Sequence, residues 1–171
     1  MQLDPKILEE ISRRQSKPWA GIVVRHTFAD YLPERENTVG ARWNPPGVPA
    51  IYTSLARETA LAEAEYQISA QPHRPKAKRT VHQIELSLSS VFSLADPDTL
   101  AAFGLSKKDL GELDMTRCQE VGAAIEHSHH DGLLVPSARH HGHNLVVFPR
   151  QVTLEYRFQV ISSEVIQARE F

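Results

Sequence analysis

The spacing of apolar positions changes repeatedly along this chain, and each change marks a different element. Asp4-Pro5 reads as an N-cap followed by a first-turn proline, and Ile7, Leu8 and Ile11 then share one face, so residues 5–14 are predicted helical. Residues 20–24 form a short unbroken apolar run, as in a buried strand, with Arg25 at its end. Residues 29–49 lose all periodicity and fill with Gly, Pro, Asn and charge, an ordered surface loop of a length that is often functional. Residues 50–53 are a second strand candidate, and Ser54 is placed to cap a helix over 56–69 made of good helix formers. Alternation returns over 80–88, with His82, Ile84, Leu86 and Leu88 on one side and Val81, Gln83 and Glu85 on the other. Asp96-Pro97 and Ser106 open two short helices, and Thr116 caps a third that turns Val121, Ala124 and Ile125 inward. Residues 132–135, 145–148 and 152–160 read as three further strands. Helices and strands follow one another without a βαβ rhythm, which predicts an α+β fold with a mixed or antiparallel sheet flanked by helices.

Composition narrows the class. The 171 residues suit one domain spanning 1–171, and 41% apolar with 23% charged residues is ordinary for a globular protein. No apolar run approaches the roughly 18 residues of a membrane helix. The charged start, MQLDPKILEEISRR, lacks the apolar stretch of a signal peptide, so a cytoplasmic protein is expected. The lone cysteine, Cys118, excludes an internal disulfide and any thiolate metal cluster. A net charge of −2 argues against direct nucleic-acid binding. The basic segment from His73 to Arg79 is the local exception and reads as a solvated loop.

Several common chemistries find no support. There is no Gly-x-Gly-x-x-Gly after a strand, no phosphate-loop Gly-Lys-Ser/Thr and no His-Glu-x-x-His. His127, His129 and His130 cluster, as do His140, His141 and His143, but their spacing matches no closed ligand set, so no metal is expected. Ser137, His140 and Asp131 make a hydrolase triad on paper only, because no nucleophile elbow surrounds Ser137.

One stretch, GARWNPPGVPAIYTSLARETALAEAEY from Gly40 to Tyr66, crowds Arg42, Trp43, Asn44, Tyr52 and Glu63 together. With Arg25 and the later Pro136-Ser137-Ala138-Arg139, it offers parts for a charged, aromatic, sugar-containing ligand. Arg25 and Arg42 carry the planar fork that suits a diphosphate. Trp43 and Tyr52 offer rings to stack on a heterocycle. Glu63 offers a carboxylate for the positive charge that builds on a ribose when its N-glycosidic bond breaks. Ser137 is placed either to hold a carboxamide or to orient Glu63. Each residue also has a plain structural role open to it, an ion pair for Arg25 or core packing for Trp43.

The stretch resembles the RES domain. Gly40-Ala41-Arg42-Trp43-Asn44-Pro45-Pro46-Gly47 is similar to that family's Gly-x-Arg-Trp-Asn-x-x-Gly. Ile51-Tyr52-Thr53-Ser54, Ala60-Leu61-Ala62-Glu63, Pro136 to Arg139 and Asn144 to Phe148 follow its later blocks, so the similarity runs over about residues 20–155. The resemblance implies an ADP-ribosyltransferase-like fold and the toxin half of a bacterial toxin–antitoxin pair that uses NAD as substrate, without a metal. It places the family's arginine on Arg25, with Arg42 as the other candidate, its tyrosine on Tyr52, its glutamate on Glu63 and its serine on Ser137. His26 stands where the family often has an aromatic or aliphatic residue.

On this reading Arg25 and Arg42 grip the diphosphate and Trp43, Asn44 and Tyr52 contact the dinucleotide. Glu63 stabilises the ribosyl cation, and Ser137 holds the leaving group or the glutamate. The implied partner is an Xre-type antitoxin that covers the site and carries any DNA-binding function, with a homodimer of the toxin as a further possibility. Water, phosphate or a protein remain open as the ADP-ribosyl acceptor. A target-specific transferase and a non-enzymatic NAD-binding module are the rival readings. Helix phase selects among the glutamates. At about 100° per residue Leu61, Ala64 and Ile68 fall within roughly 60° and form the core face. Glu58 and Glu65 stack about 20° apart on a solvated flank, and Glu63 lies on the opposite flank beside Ala56 and Ala60.

Overall fold

Six strands frame the described part of the molecule, and their pairings close into a circuit. The computed structural model describes residues 1–70 and 78–166. In chain order the elements are α1 (Pro5–Ser12), β1 (Lys17–Phe28), β2 (Ile51–Ser54), α2 (Arg57–Ala70), β3 (Arg79–Ser93), α3 (Pro97–Ala102), α4 (Thr116–His127), β4 (Gly132–Pro136), β5 (His143–Val147) and β6 (Arg157–Ile166). The strand order is β1-β2-β5-β4-β3-β6, and β1 also pairs with β3. Only the β3–β4 pair is parallel among these, so the sheet is mixed and the fold is α+β.

Every strand turns apolar side chains to the inside of this curled sheet. Val23, Ile51, Ile84, Leu86, Leu88, Val91, Leu145 and Val147 are buried there, with Leu134, Phe158 and Val160 partly buried around them. A second core lies on the outer face of β2, β5 and β4. There Leu133, Val135 and Val146 pack on Ile7 and Ile11 of α1, Leu100 of α3, and Cys118, Val121, Ala124 and Ile125 of α4. A third, smaller core joins Val24 and Val81 to Ala60 of α2 and to Ile166. The inward set predicted for α4 is therefore found.

Several boundaries differ from the sequence expectation, each for a local reason. β1 runs from residue 17 to residue 28, so Arg25 sits within the strand opposite His82 and not at its end. The polar residues flanking the apolar run are held by β3 along nearly the whole length of β1. Ser54 ends β2, and its hydroxyl is used by Asn144, not by the N-terminus of α2. Thr116 is the first residue of α4 and does not cap it; the Asp114 carboxylate accepts from the Thr116 N–H at 2.9 Å. The last strand begins only at Arg157, because residues 149–151 form a 3-10 turn and Tyr156 N–H closes another turn on Thr153. Most of the basic segment lies outside the described residues. Arg79 is its exception and a correction: it is 4% exposed, with its guanidinium 4.1 Å over the Phe28 ring.

Candidate functional site

Glu63 is the centre of a connected polar group on the outer face of the sheet. Tyr52 and Ser54 are two apart on β2 and therefore share a face. Register carries that face to Val146 and Asn144 on β5, and to Leu133 and Val135 on β4. Ser137 follows Val135 with the same parity. α2 lays Glu63 across this row. Its Oε1 accepts from the Ser137 hydroxyl at 2.6 Å and from Asn144 Nδ2 at 2.8 Å. Among the described residues nothing donates to Oε2.

The supporting groups leave little freedom. Ser137 is fully buried, and its Oγ accepts from the backbone N–H groups of Arg139 and His140 at 3.1 and 3.2 Å. With its acceptor side filled, its proton goes to Glu63. Asn144 Oδ1 accepts from the Ser54 hydroxyl at 2.8 Å, which fixes the amide so that its Nδ2 faces the carboxylate. One turn earlier on α2, the Thr59 hydroxyl meets His140 Nδ1 at 2.9 Å. Of the two uses expected for Ser137, the geometry provides the one that orients Glu63. Asn144, Ser54 and Thr59 are participants that sequence reasoning did not single out. Asn144 opens the last motif block, and its register against Ser54 on β2 is the signal that locates it.

The helix phase of α2 is nearly as expected. Thr59, Ala60 and Ala64 are the buried residues, Leu61 and Ile68 are partly buried, and Glu58 and Glu65 are exposed. The buried stripe is centred closer to Glu63 than Leu61 predicts. The hydroxyl and methyl groups of Thr59 and Ala60 allow the helix to approach the sheet where larger residues would hold it off.

The Arg-Trp-Asn triplet has a different use from the one its residue types suggest. Trp43 is 3% exposed and packs in the outer core, so its ring presents no face to a heterocycle. Asn44 is fully buried and works as a strut: Nδ2 donates to the carbonyls of Asn37 and Val48, and Oδ1 accepts from the Tyr52 hydroxyl at 2.6 Å. The Tyr52 oxygen in turn accepts from the Trp43 N–H at 2.9 Å. Burial pushes the Tyr52 phenol above its ordinary range, so that proton stays in place. The half-buried Tyr52 therefore pins the long loop through its hydroxyl while its ring lies on the Glu63 face.

Arg25 and Arg42, the two arginines expected at a diphosphate, have different surroundings here. Arg25 shares the parity of Val23, so it leaves β1 on the side opposite Val24, Ser54 and Glu63. Its guanidinium donates to the carbonyls of Tyr52 and Arg35, both at 2.8 Å, and ties the long loop to β2. Burial pulls its pKa down to about 10, which still leaves it charged at neutral pH. Arg42 donates to the Glu112 carbonyl at 2.7 Å and to the Asp109 carbonyl at 3.5 Å. It lies beside Tyr52 and Cys118, on the Glu63 side of the sheet.

Comparison with known proteins identifies the family of the chain. The model of the RES domain matches residues 11–165. The chain belongs to the RES-domain family. NAD(+) phosphorylase MbcT of Mycobacterium tuberculosis is 32% identical to this RES domain over 144 residues, covering 80% of this chain and 77% of the relative. The same protein of Mycobacterium bovis matches equally. The crystal structure of the M. tuberculosis MbcT–MbcA toxin–antitoxin complex superposes with a TM-score of 0.89 at 28% identity, over 99% of this chain and 96% of that one.

The buried His82 and the partly buried His130 of this RES domain are held by side-chain hydroxyls. His82 lies between Thr27 Oγ1 and Ser163 Oγ, and His130 Nδ1 meets Ser90 Oγ. Among the described residues no group of three or more His, Cys, Asp or Glu side chains is placed to hold a metal. The residues of the triad are held apart: both Asp131 oxygens accept backbone N–H groups of Ser89 and Ser90, at the opposite end of β4 from Ser137. His26, beside Arg25, packs against Arg79 with Nδ1 3.2 Å from its guanidinium. Burial, helped by Arg79 and Arg25, pushes its pKa down to about 3.

A pH prediction follows from His26. The unfolded chain binds a proton there below about pH 6.5, whereas the folded chain does not until about pH 3. Stability contributed at this position is thus whole above pH 6.5 and is lost progressively as pH falls towards 3. Burial shifts His82 and His130 in the same direction. Urea unfolding at pH 7.5 and pH 5 should show wild type losing about 1–2 kcal/mol more than His26→Phe over that interval. An equal loss in both proteins would place the acid sensitivity elsewhere.

Proposed function

We propose that this chain is the NAD-cleaving toxin of a toxin–antitoxin pair, breaking the nicotinamide–ribose bond with Glu63 and passing the ADP-ribosyl group to inorganic phosphate. The observation that carries the reading is the Glu63 carboxylate, held by two donors on Oε1 and, among the described residues, without a donor on Oε2. Likeness to proteins named NAD(+) phosphorylases supports both the substrate and the acceptor.

The chemistry asks little more of the protein. The glycosidic electron pair moves to the pyridinium nitrogen, and nicotinamide leaves neutral. Positive charge then rests on the ribose carbon, and a fixed carboxylate opposite that carbon stabilises it. A phosphate oxygen forms the new bond to the same carbon. Ser137 and Asn144 act as positioning residues that stop the carboxylate from rotating away. Tyr52 offers its ring edge beside the nicotinamide, with Trp43 and Asn44 setting the height of that ring from below. Arg42 adds positive charge on the same side for the diphosphate, and Arg25 holds β2 and the loop in register.

The partner in this reading is an antitoxin of the Xre type that covers the site, and DNA binding belongs to that partner. A relative seen in a toxin–antitoxin complex supports a protein partner of this kind. Growth arrest follows from loss of NAD in the cytoplasm. The test is to incubate the purified chain with NAD, with and without phosphate, and to resolve the products. Free nicotinamide together with a phosphorylated ADP-ribose, formed only with phosphate, is the expected result. Transfer of the ADP-ribosyl group to a protein would replace the reading with a transferase, and bound but intact NAD under all conditions would replace it with a binding module.

A further inference from the structure

Arg139 is the arginine of this site that the reading above leaves without work. It stands two residues after Ser137, in the turn between β4 and β5, and its own N–H donates to Ser137 Oγ. Its side chain lies on α2: the guanidinium carbon sits 3.2 Å from the centroid of the Tyr66 ring. Tyr66 is one turn beyond Glu63, so the two side chains are neighbours on the helix. On the other side, a guanidinium nitrogen of Arg139 lies 4.0 Å from where a Cβ on Gly111 would stand. Gly111 closes the 3-10 turn Asp109–Gly111 that also supplies a carbonyl to Arg42.

The position is unusual in its bonding. Arg25 and Arg42 spend N–H groups on main-chain carbonyls. Arg139 is half-buried, pairs with no carboxylate, and donates no side-chain hydrogen bond among the described residues. An arginine that only served packing would lose little by turning its head to solvent. This one is stacked on an aromatic ring, and none of its five side-chain N–H groups meets an acceptor among the described residues. A fixed, unpaired fork beside a carboxylate that faces a ribose is the chemistry that binds a phosphate oxygen pair.

We propose that Arg139, shelved on Tyr66, is the phosphate receptor of the Glu63 site. The inference deepens the function proposed above and takes its substrates from it. Two sources supply the same chemistry: inorganic phosphate as acceptor, and a phosphoryl group of the dinucleotide.

Steady-state rates of nicotinamide release, with NAD and inorganic phosphate varied independently, separate the two sources in wild type, Arg139→Gln and Arg139→Lys. Arg139→Gln should raise one KM by about tenfold or more, the weight of one charge-assisted fork, and leave the other within about twofold. A rise for phosphate assigns the fork to the acceptor, and a rise for NAD assigns it to the dinucleotide. Arg139→Lys should recover only part of the loss, because it restores charge without the fork. Tyr66→Leu should weaken the same KM in the same direction.

Phosphorus NMR titrations of the same proteins with phosphate alone and with NAD alone read binding without turnover, and thermal unfolding checks that each variant is folded. Wild type that binds either anion in an Arg139-dependent way but releases no nicotinamide would overturn the cleavage reading and keep the receptor. Arg139→Gln that binds both anions and turns over NAD like wild type would overturn the receptor and keep the cleavage reading.

Discussion

Glu63→Gln should lower NAD turnover by about 100-fold or more, the effect of removing one fixed charge from a site that stabilises a cation. The substitution keeps the shape of the side chain. The Ser137 hydroxyl and the Asn144 amide retain an acceptor in the glutamine oxygen, at the position where they now meet Oε1 at 2.6 and 2.8 Å. Folding is therefore preserved, and circular dichroism should be unchanged. Glu65→Gln is the control, because Glu65 is exposed on the far flank of α2 and should behave as wild type. Asn144→Leu asks a finer question. It leaves the charge but removes one of its two donors and frees the Ser54 hydroxyl, so turnover should fall by roughly tenfold, on the scale of one hydrogen bond to a charged group. Equal losses at Glu63 and Glu65 would mean that the carboxylate acts only through the stability of the helix.

Sequence periodicity fixes the flank of α2 that carries Glu63 but not the face of β1 that carries Arg25, and the difference is physical. A helix has one phase, so the spacing of Leu61, Ala64 and Ile68 was enough to put Glu58 and Glu65 outside and Glu63 on the sheet side. Strand parity was also readable once β1 and β2 were known, but the short apolar run at residues 20–24 hid how far β1 extends. With Arg25 taken for the end of a strand, nothing indicated that its side chain leaves on the face opposite Glu63. Trp43 and Asn44 are buried, which their residue types do not announce. Their residue types suit a ligand site, yet a loop of more than twenty residues without regular pairing must satisfy its own polar groups, and Asn44 does this with three hydrogen bonds to Asn37 O, Val48 O and the Tyr52 hydroxyl. Asn144 opens a motif block, but no local pattern joins it to Glu63. Its link to Glu63 spans 81 positions and depends on the register of three strands.

The same loop gives the largest stability prediction. Gly122 lies in the middle of α4, where a glycine costs about 1 kcal/mol relative to alanine if nothing else is gained. Here something is gained: a Cβ at residue 122 would stand 1.9 Å from the Trp43 carbonyl oxygen and 2.8 Å from its carbon. The loop backbone therefore rests directly on the helix, and Gln119 Nε2 holds it there through the Ala41 carbonyl at 2.9 Å. Gly122→Ala cannot be relieved by a rotamer, because the obstacle is main chain. Either α4 moves off the core that Val121 and Ile125 fill, or the loop rises and draws the Trp43 ring out of it. A loss of at least about 3 kcal/mol is expected, overriding the gain in helix propensity. For a chain of this size that is a fall in Tm of about 6–12 °C, and turnover should fall with it as Tyr52 loses Asn44. Gly47→Ala is the comparison. Its φ of +91° makes alanine strained, but no atom lies within 4 Å of the added carbon, so a loss of about 1–2 kcal/mol is expected. If Gly122→Ala melts within 2 °C of wild type, the Arg-Trp-Asn segment is not seated on α4, and the support it lends to Tyr52 must come from elsewhere in the loop.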